Sequence, residues 1–300
     1  MARLIALVGP TGSGKTAWGL ELALALGAEI ISVDSLQVYQ GMDIGTAKPS
    51  LAERALVPHH LIDILTPDQA YNAGRFAHDA SAALTGILQR GRPALLLGGT
   101  HLYHQALIQG MVEAPEASAV TKARVAALGP SPARYQALTQ ADPETAARLH
   151  PNDVARVTRA LEVAWETGIP LTEWRRQQRP PRHEVMYLAP WWPREQLYQR
   201  INQRCQAMLE RGLLQETQGL LNQGYAPSLP PLRSLGYLQA VAHLQGKINQ
   251  ETMLSQMQQK TRHYAKKQLT WLHKLPLHNL MPEQRVSEVL PLITKYLEQP

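Results

Sequence analysis

Residues 9–16 read Gly9-Pro10-Thr11-Gly12-Ser13-Gly14-Lys15-Thr16, directly after the apolar run Leu4-Ile5-Ala6-Leu7-Val8 and directly before a helical pattern that begins at Ala17. The spacing Gly-x-x-x-x-Gly-Lys-Thr in a strand, loop, helix setting is that of a phosphate-binding loop. Its glycines let the backbone curl so that successive N–H groups point inward, and the first turn of the following helix adds partial positive charge. In such a loop Lys15 neutralises phosphate oxygens and the Thr16 hydroxyl ligates Mg²⁺. The loop calls for a phosphate; the ester it belongs to is decided by the rest of the chain.

Three hundred residues, 44% of them hydrophobic, can bury one sizeable core and carry a second small domain. The formal charge of +6 suits either a polyanionic partner or an ordinary solvated basic surface. Cys205 is the one cysteine, so an internal disulfide and a Cys-based zinc site are both excluded. No apolar run is long enough to span a bilayer and the stretch before Gly9 is too short for a secretory signal, so a cytoplasmic enzyme with no membrane partner is expected.

Residues 3–8 are expected as a buried strand and 17–26 as the helix it feeds, stopped by Gly27. Residues 28–33 form a second apolar strand that runs into Asp34, and a carboxylate at the carboxyl end of a strand beside a phosphate loop lies where open α/β sheets place their ligands. The polar, glycine-punctuated segment from Asp34 to Pro49 lacks periodicity and reads as a functional loop. A third strand over 59–64, a helix over 72–88 capped by Asn72, and a fourth strand over 94–97 follow. That last strand ends in Gly98-Gly99-Thr100, where an ATPase would place an acid, which disfavours ordinary ATP hydrolysis.

Between 111 and 182 strand-like runs cease. Short helical patterns take over, with Asp142-Pro143 and Asn152-Asp153 as helix starts and Gly168 and Pro170 closing the helix over 154–167. Lys122, Arg124, Arg134, Arg148, Arg156, Arg159, Arg175, Arg176, Arg179 and Arg182 fall in this region beside Trp165 and Trp174. Basic side chains among aromatics suit a nucleic-acid face, and tryptophans on helices equally suit a core. The sheet resumes over 184–188. A helix over 193–211 then carries Arg200 and Arg204 four apart, hence on one face, where two guanidinium forks would clamp a diphosphate. A last helix over 250–272 brings Lys260, Arg262, Lys266 and Lys267 just before Trp271. The expected fold class is therefore α/β: a P-loop NTPase-like parallel sheet flanked by helices, from residues 1–110 and 183–300, with a small helical domain inserted at 111–182.

Several motifs occur in one order along the chain. They are the phosphate loop, Asp34-Ser35-Leu36-Gln37-Val38-Tyr39, Gly45-Thr46-Ala47-Lys48-Pro49, Gly98-Gly99-Thr100, His150-Pro151-Asn152-Asp153 with Arg156 and Arg159-Ala160-Leu161-Glu162, Leu235-Gly236-Tyr237, and Ala265-Lys266-Lys267-Gln268-Leu269-Thr270-Trp271-Leu272. Over nearly its whole length the chain resembles the bacterial tRNA dimethylallyltransferases. The resemblance implies transfer of a dimethylallyl group from dimethylallyl diphosphate to the exocyclic N6 amine of the adenosine at tRNA position 37, in a reaction that needs Mg²⁺; a monomer is expected. It implies that Gly9, Pro10, Thr11, Gly12, Ser13, Gly14, Lys15 and Thr16 hold the prenyl diphosphate in place of ATP, and Arg204 from the helix over 193–211 is expected to join them. Asp34 matches the general base and Thr100 the residue that positions the amine. The implied tRNA contacts are Asp34, Ser35, Leu36, Gln37, Thr100, Lys122, Arg124, Ala155, Arg156, Val157, Thr158, Arg159, Arg233, Gly236, Tyr237, Lys266, Lys267, Gln268 and Trp271. The chain departs from the family pattern at His101, where Gly is commonest, at Leu238, where Arg is usual, and at Lys267 and His273, where arginines are frequent.

The residues themselves support such chemistry. An allylic diphosphate ionises when charge on the leaving group is stabilised, which the loop amides, Lys15, a Thr16-held Mg²⁺ and Arg204 supply together. An exocyclic amine is a weak nucleophile that gains from a carboxylate able to take its proton. Asp34 is the candidate, with water-mediated Mg²⁺ ligation as the other reading of the same side chain. Two further classes compete: a small-molecule kinase in which Asp34 deprotonates a hydroxyl, and an RNA-gripping ATPase. His59, His60, His101 and His104 lack the acidic or Cys neighbours of a zinc site, and Cys205 reads as an inert thiol inside a helix.

Overall fold

Six short strands pair side by side in this computed structural model, which describes residues 2–111, 114–177 and 183–299. They are β1 (Ala2–Leu7), β2 (Glu29–Ser32), β3 (His59–His60), β4 (Ala94–Leu97), β5 (His183–Pro190) and β6 (Leu277–Leu280), all parallel, in the order β3-β2-β4-β1-β5-β6. Parallel strands are covered on both faces, which is why the central runs are continuously apolar and not alternating. Along β1 and just past its end, Leu4, Ala6 and Val8 face one layer and Ile5 and Leu7 the other, all fully buried.

The helices follow in chain order. α1 (Lys15–Leu26), α2 (Leu51–Leu56), α3 (Ala73–Gln89) and α4 (His101–Ile108) belong to the first half. Phe76, Leu84 and Ile87 of α3 and Tyr103 and Leu107 of α4 cover the face that carries Leu4, Ala6 and Leu96. Leu22 and Ala23 of α1 cover the opposite face. The chain then forms α5 (Ala119–Ala127), α6 (Ser131–Ala141), α7 (Pro143–Arg148), α8 (Val154–Thr167) and α9 (Leu171–Arg176). After β5 come α10 (Arg194–Glu210), α11 (Leu213–Asn222), α12 (Tyr237–Leu244), α13 (Gln250–Leu272) and α14 (Val286–Glu298). Residues of α10 to α13 build a separate apolar core with Val38, Tyr39 and Met42 of the loop after β2.

Contacts divide the chain into two units, Met1–Gln109 with Pro181–Pro300, and Gly110–Pro180. The second has its own core of Val125, Leu138, Val157, Ala160 and Leu161. Buried Asp142 organises it: Oδ1 accepts the Thr145 N–H that starts α7 at 3.0 Å and the Thr172 hydroxyl at 2.7 Å, while Oδ2 accepts the Thr172 N–H at 3.0 Å. Asp153 caps α8 through the Arg156 N–H, and Gly168 closes that helix in the left-handed region. Arg179 and Arg182 lie outside the described residues.

Register positions the site. Leu7 pairs with Leu97 and with Leu188, and Ser32 pairs with Leu97, so β1, β2 and β4 finish level, while β5 runs on to Pro190. Whatever follows them, including Gly9, Asp34 and Gly98, emerges along one edge of the sheet.

Sequence and structure differ in several places. The strand expected over 59–64 pairs only at His59–His60, because Leu61 and Asp63 adopt positive φ of 64° and 57° and turn the chain away. Asp63 is held there by Lys48 Nζ at 2.5 Å and Arg54 Nη1 at 2.6 Å. Helices α2, α11, α12 and α14 and edge strand β6 extend the reading. In α14 the apolar positions Val286, Val289 and Ile293 carry the helical period and pack under the sheet.

At the start of β2, Glu29 is 3% exposed and receives Arg90 Nε at 3.0 Å and Nη2 at 2.7 Å, with His60 Nε2 at 2.7 Å. The Arg90 hydrogen bonds lead in holding its carboxyl down at about 2, against an ordinary 4.5. A depressed carboxylate stabilises the fold above its unfolded pKa and loses that contribution as pH falls through the folded one. Glu29→Gln is therefore expected to cost about 1–3 kcal/mol near pH 7. The gap from wild type should close between pH 4.5 and 2, as read by urea unfolding across that window.

Candidate active site

The phosphate loop is braced from outside by two side chains near α10. Arg200 Nε donates to the Gly12 carbonyl at 2.9 Å, and Trp192 Nε1 donates to the Ser13 carbonyl at 2.9 Å. The Arg200 guanidinium lies 4.2 Å from the Trp192 ring centre, a cation–π contact that holds the pair together. With these carbonyls engaged, the loop is held curled. Arg200 thus serves the loop's carbonyl side, and the diphosphate clamp expected from Arg200 with Arg204 reduces to Arg204, which lines the cavity.

That cavity, of about 390 Å³, is lined by Thr11, Lys15 and Thr16 of the loop, by Asp34 to Gln37, by Gly98 to Thr100, and by Arg204 and Gly236. Its other wall is a stripe of α13, Met257, Thr261, Tyr264 and Gln268, spaced so that one helix face looks inward. Gln268, 9% exposed, fastens the parts: its Oε1 accepts the Thr11 N–H at 2.9 Å and its Nε2 donates to the Gly99 carbonyl at 3.0 Å. Gly98 fits only without a side chain, since a Cβ there would run into the Val33 carbonyl. This crowding explains why no acid ends β4.

Lys15 and Arg204 are two cations facing a single acid. Burial foremost, then the Arg204 charge, pulls the Lys15 ammonium down to about 7, with Asp34 opposing. Burial also lowers the Arg204 guanidinium, which nonetheless stays charged. Lys15 Nζ donates to the Pro10 carbonyl at 2.8 Å, and Arg204 makes no hydrogen bond among the described residues. Both suit a bound anion.

Asp34 is the only carboxylate among the described residues that line the cavity. Its Oδ1 accepts the N–H groups of Leu36 at 2.8 Å and Gln37 at 3.3 Å, which fixes the side chain and leaves Oδ2 open. Thr100 Oγ1 accepts the Ser35 N–H at 3.3 Å, tying the two strand ends together. Gln37 is held in turn: its Oε1 accepts the Ser32 hydroxyl at 2.9 Å, and its Nε2 points at the Thr46 and Ala47 carbonyls.

These side chains gather at one strand edge of a sheet whose sequence matches known enzymes. The IPP transferase profile matches residues 37–275, and the isopentenyl transferase profile residues 2–59. This chain belongs to the IPP transferase family. It is 45% identical over 280 residues to the tRNA dimethylallyltransferase of Myxococcus xanthus, covering 91% of this chain and 90% of the relative. Against tRNA dimethylallyltransferase 2 of Geotalea uraniireducens it is 42% identical over 277 residues, covering 91% and 89%. The tRNA isopentenylpyrophosphate transferase of Bacillus halodurans superposes with TM-score 0.74 at 33% identity, over 99% of this chain and 97% of that one. A eukaryotic dimethylallyltransferase acting on tRNA superposes with TM-score 0.83 at 28% identity, over 98% and 77%.

In this IPP transferase the expected RNA-contacting residues are differently exposed. Lys266 and Lys267 of α13 and Arg233 lie open on the surface, and Trp271 is half-buried against His101 and His104 at 5.3 and 6.0 Å between ring centres. Tyr237 is fully buried, its hydroxyl 2.5 Å from Glu216, so it cannot touch RNA and instead holds a turn. Within the helical unit Ala155 and Arg156 are exposed, Thr158 and Arg159 half-buried, and Val157 is core. Lys122 there pairs with Glu116 at 2.8 Å, and Arg124 lies 4.1 Å from the Trp165 ring centre. His104 is fully buried, shares a hydrogen bond with the Gly98 carbonyl at 3.2 Å and is held neutral, at about 4, by burial. His60 meets Glu29, and His59 Nδ1 meets the Val57 carbonyl.

Glu216, Trp192 and Tyr264 escape a reading by motifs. Glu216 accepts the N–H groups of Asp43, Ile44 and Gly45 at 2.9, 2.7 and 3.1 Å, an acid in the first turn of α11 with nothing local to mark these distant partners. Tyr264 was legible only as part of the inward stripe of α13.

Two outcomes are expected. Inorganic diphosphate bound at pH 8, above the Lys15 pKa of about 7, should draw in a proton as Lys15 recharges, and far less at pH 6. Calorimetry in buffers of different ionisation enthalpy reads this, and Lys15→Gln should remove that uptake, leaving only the diphosphate's own proton exchange. Gly45→Ala sets a Cβ against the Tyr237 ring and should cost about 1–3 kcal/mol in thermal or urea unfolding.

Proposed function

We propose that this protein transfers the dimethylallyl group of dimethylallyl diphosphate to the exocyclic N6 amine of adenosine at tRNA position 37 and releases diphosphate. The observation that carries the proposal is one cavity, in a member of the IPP transferase family, bringing a phosphate loop and Arg204 together with a lone carboxylate. Lys15, Arg204 and the loop N–H groups bind the diphosphate and take up its charge as the C1–O bond breaks, with the bonding electrons leaving on oxygen. The allylic carbon is left cation-like. The N6 lone pair forms the new C–N bond to C1, and Asp34 Oδ2 takes the amine proton, while Thr100 orients the amine. Anticodon loops are already partly unstacked, which lowers the cost of turning the base into the cavity.

Mg²⁺ fits the donor set. Thr16 and Asp34 offer hard oxygens to one cavity, and Mg²⁺ is typically held by one or two such protein groups beside phosphate oxygens and water. Thr16 would hold it against the diphosphate, and its bound charge would add to leaving-group stabilisation. Ser35, Leu36, Gln37, Arg233, Lys266, Lys267 and the exposed face of α8 are proposed as the tRNA contacts, with Lys122 and Arg124 on the helical unit. A tRNA substrate is in keeping with a reaction in the cytoplasm, and the enzyme is proposed to act as a monomer.

The decisive assay mixes protein, Mg²⁺, labelled dimethylallyl diphosphate and an unmodified anticodon stem-loop, with ATP in a parallel arm. Label should pass to RNA, and ATP should not be consumed. Asp34→Asn keeps an oxygen for the Leu36 and Gln37 N–H groups while removing the base. It should slow transfer about 10² to 10⁴ fold with RNA affinity close to unchanged; a rate within threefold of wild type would rule out the base role.

A further inference from the structure

A base drawn from its stack must be read along its edge, which takes a donor and an acceptor fixed relative to each other. Asp34 supplies the acceptor through Oδ2. Most neutral side-chain donors of the cavity are already engaged: Gln37 and Gln268 as described, the Thr261 hydroxyl on the Met257 carbonyl at 2.6 Å, and the Ser234 hydroxyl on the Pro231 carbonyl at 2.6 Å. Ser35 and Thr100 sit on the same tied strand ends as Asp34. Tyr264 differs from all of these. It comes from α13, lines the cavity while 39% exposed, and its hydroxyl makes no hydrogen bond among the described residues.

Burial and, second to it, the Asp34 charge hold the Tyr264 phenol up at about 12, so it remains a donor at any working pH. A phenol donor and a carboxylate acceptor in one cavity match a base whose exocyclic amine donates and whose adjacent ring nitrogen accepts. Adenine offers that pair, N6–H₂ beside N7, and likewise beside N1 on its other edge. Guanine presents O6, an acceptor, where the amine would be.

We infer that Tyr264 is a specificity-determining residue whose hydroxyl donates to the ring nitrogen beside the adenine amine, so that it and Asp34 together select adenine against guanine. This rests on the activity proposed above and goes beyond it by naming how the acceptor base is recognised.

The test is a cycle between protein and RNA. Wild type and Tyr264→Phe are each assayed for kcat/KM on stem-loops with adenosine, 7-deazaadenosine or 1-deazaadenosine at the target position. Wild type should lose about tenfold on the analogue that lacks the contacted nitrogen. Tyr264→Phe should lose about as much on adenosine and show no further loss on that analogue, so that the intrinsic reactivity of each base cancels in the ratio. Inorganic diphosphate should bind both proteins equally, as a measure of an intact phosphate loop. Equal ratios between the two proteins on all three RNAs, or full activity of Tyr264→Phe on adenosine, would overturn the assignment. Absence of transfer by wild type to the adenosine stem-loop would instead sink the activity itself, a separate failure.

Discussion

Two cations, Lys15 and Arg204, sit in a cavity with one carboxylate, and this imbalance governs the site. Removing an ammonium from water is costly, and the depressed Lys15 pKa expresses that cost. A diphosphate restores the balance, since several negative oxygens arrive where inward N–H groups already point. The loop cannot relax to escape the strain. Trp192 and Arg200 hold its carbonyls outward, and Gln268 ties Thr11 to the end of β4. Preorganisation of this kind is what lets a site stabilise charge that develops during reaction without reorganising at that moment.

A buried lysine and the charges around it shape the other half of the site. Lys48, its side chain 2% exposed, is bound by Asp43 at 2.6 Å, Asp63 at 2.5 Å and the Tyr39 carbonyl at 2.8 Å. Glu216 accepts from three successive backbone N–H groups next to it. These contacts fix residues 43–48, whose carbonyls orient the Gln37 side chain beside Asp34. The glycine-punctuated segment is therefore rigid for ionic reasons. Single removal of such a buried charge leaves its partners uncompensated, so the segment tolerates little change.

The parts of the molecule legible from sequence are those where local pattern and final environment agree. The phosphate loop, the apolar strands 3–8, 28–33 and 94–97, and the Asp153 and Gly168 boundaries of α8 carry their signals in adjacent residues. The third strand was overextended because Leu61, Ile62 and Ile64 look like strand residues, while the groups that bend the chain there, Lys48 and Arg54, lie 9 to 15 positions away from Asp63. Tyr237 reads as a contact residue by motif, yet Gly45 leaves it a socket against which its ring is fully buried. Gln268 and Tyr264 sit on the same basic helix as Lys266 and Lys267, but face inward, a distinction set by which stripe of α13 meets the phosphate loop. Pairings more than a hundred residues apart, such as Glu216 with residues 43–45, leave no trace in local composition.

The crowding at Gly98 bears on what the site does to its bound phosphate. A carboxylate at the end of β4 would polarise water beside the phosphate, the arrangement suited to hydrolysis. With the Val33 carbonyl occupying that space, no such side chain fits, and Asp34 is left as the one acid lining the cavity among the described residues. Asp34 is anchored through Oδ1 by the turn that follows it, and only Oδ2 is free. A single anchored acceptor can relieve one group of one proton, which suits an amine attacking carbon. In the proposed reaction the donor's diphosphate would then depart as an anion stabilised by Lys15 and Arg204.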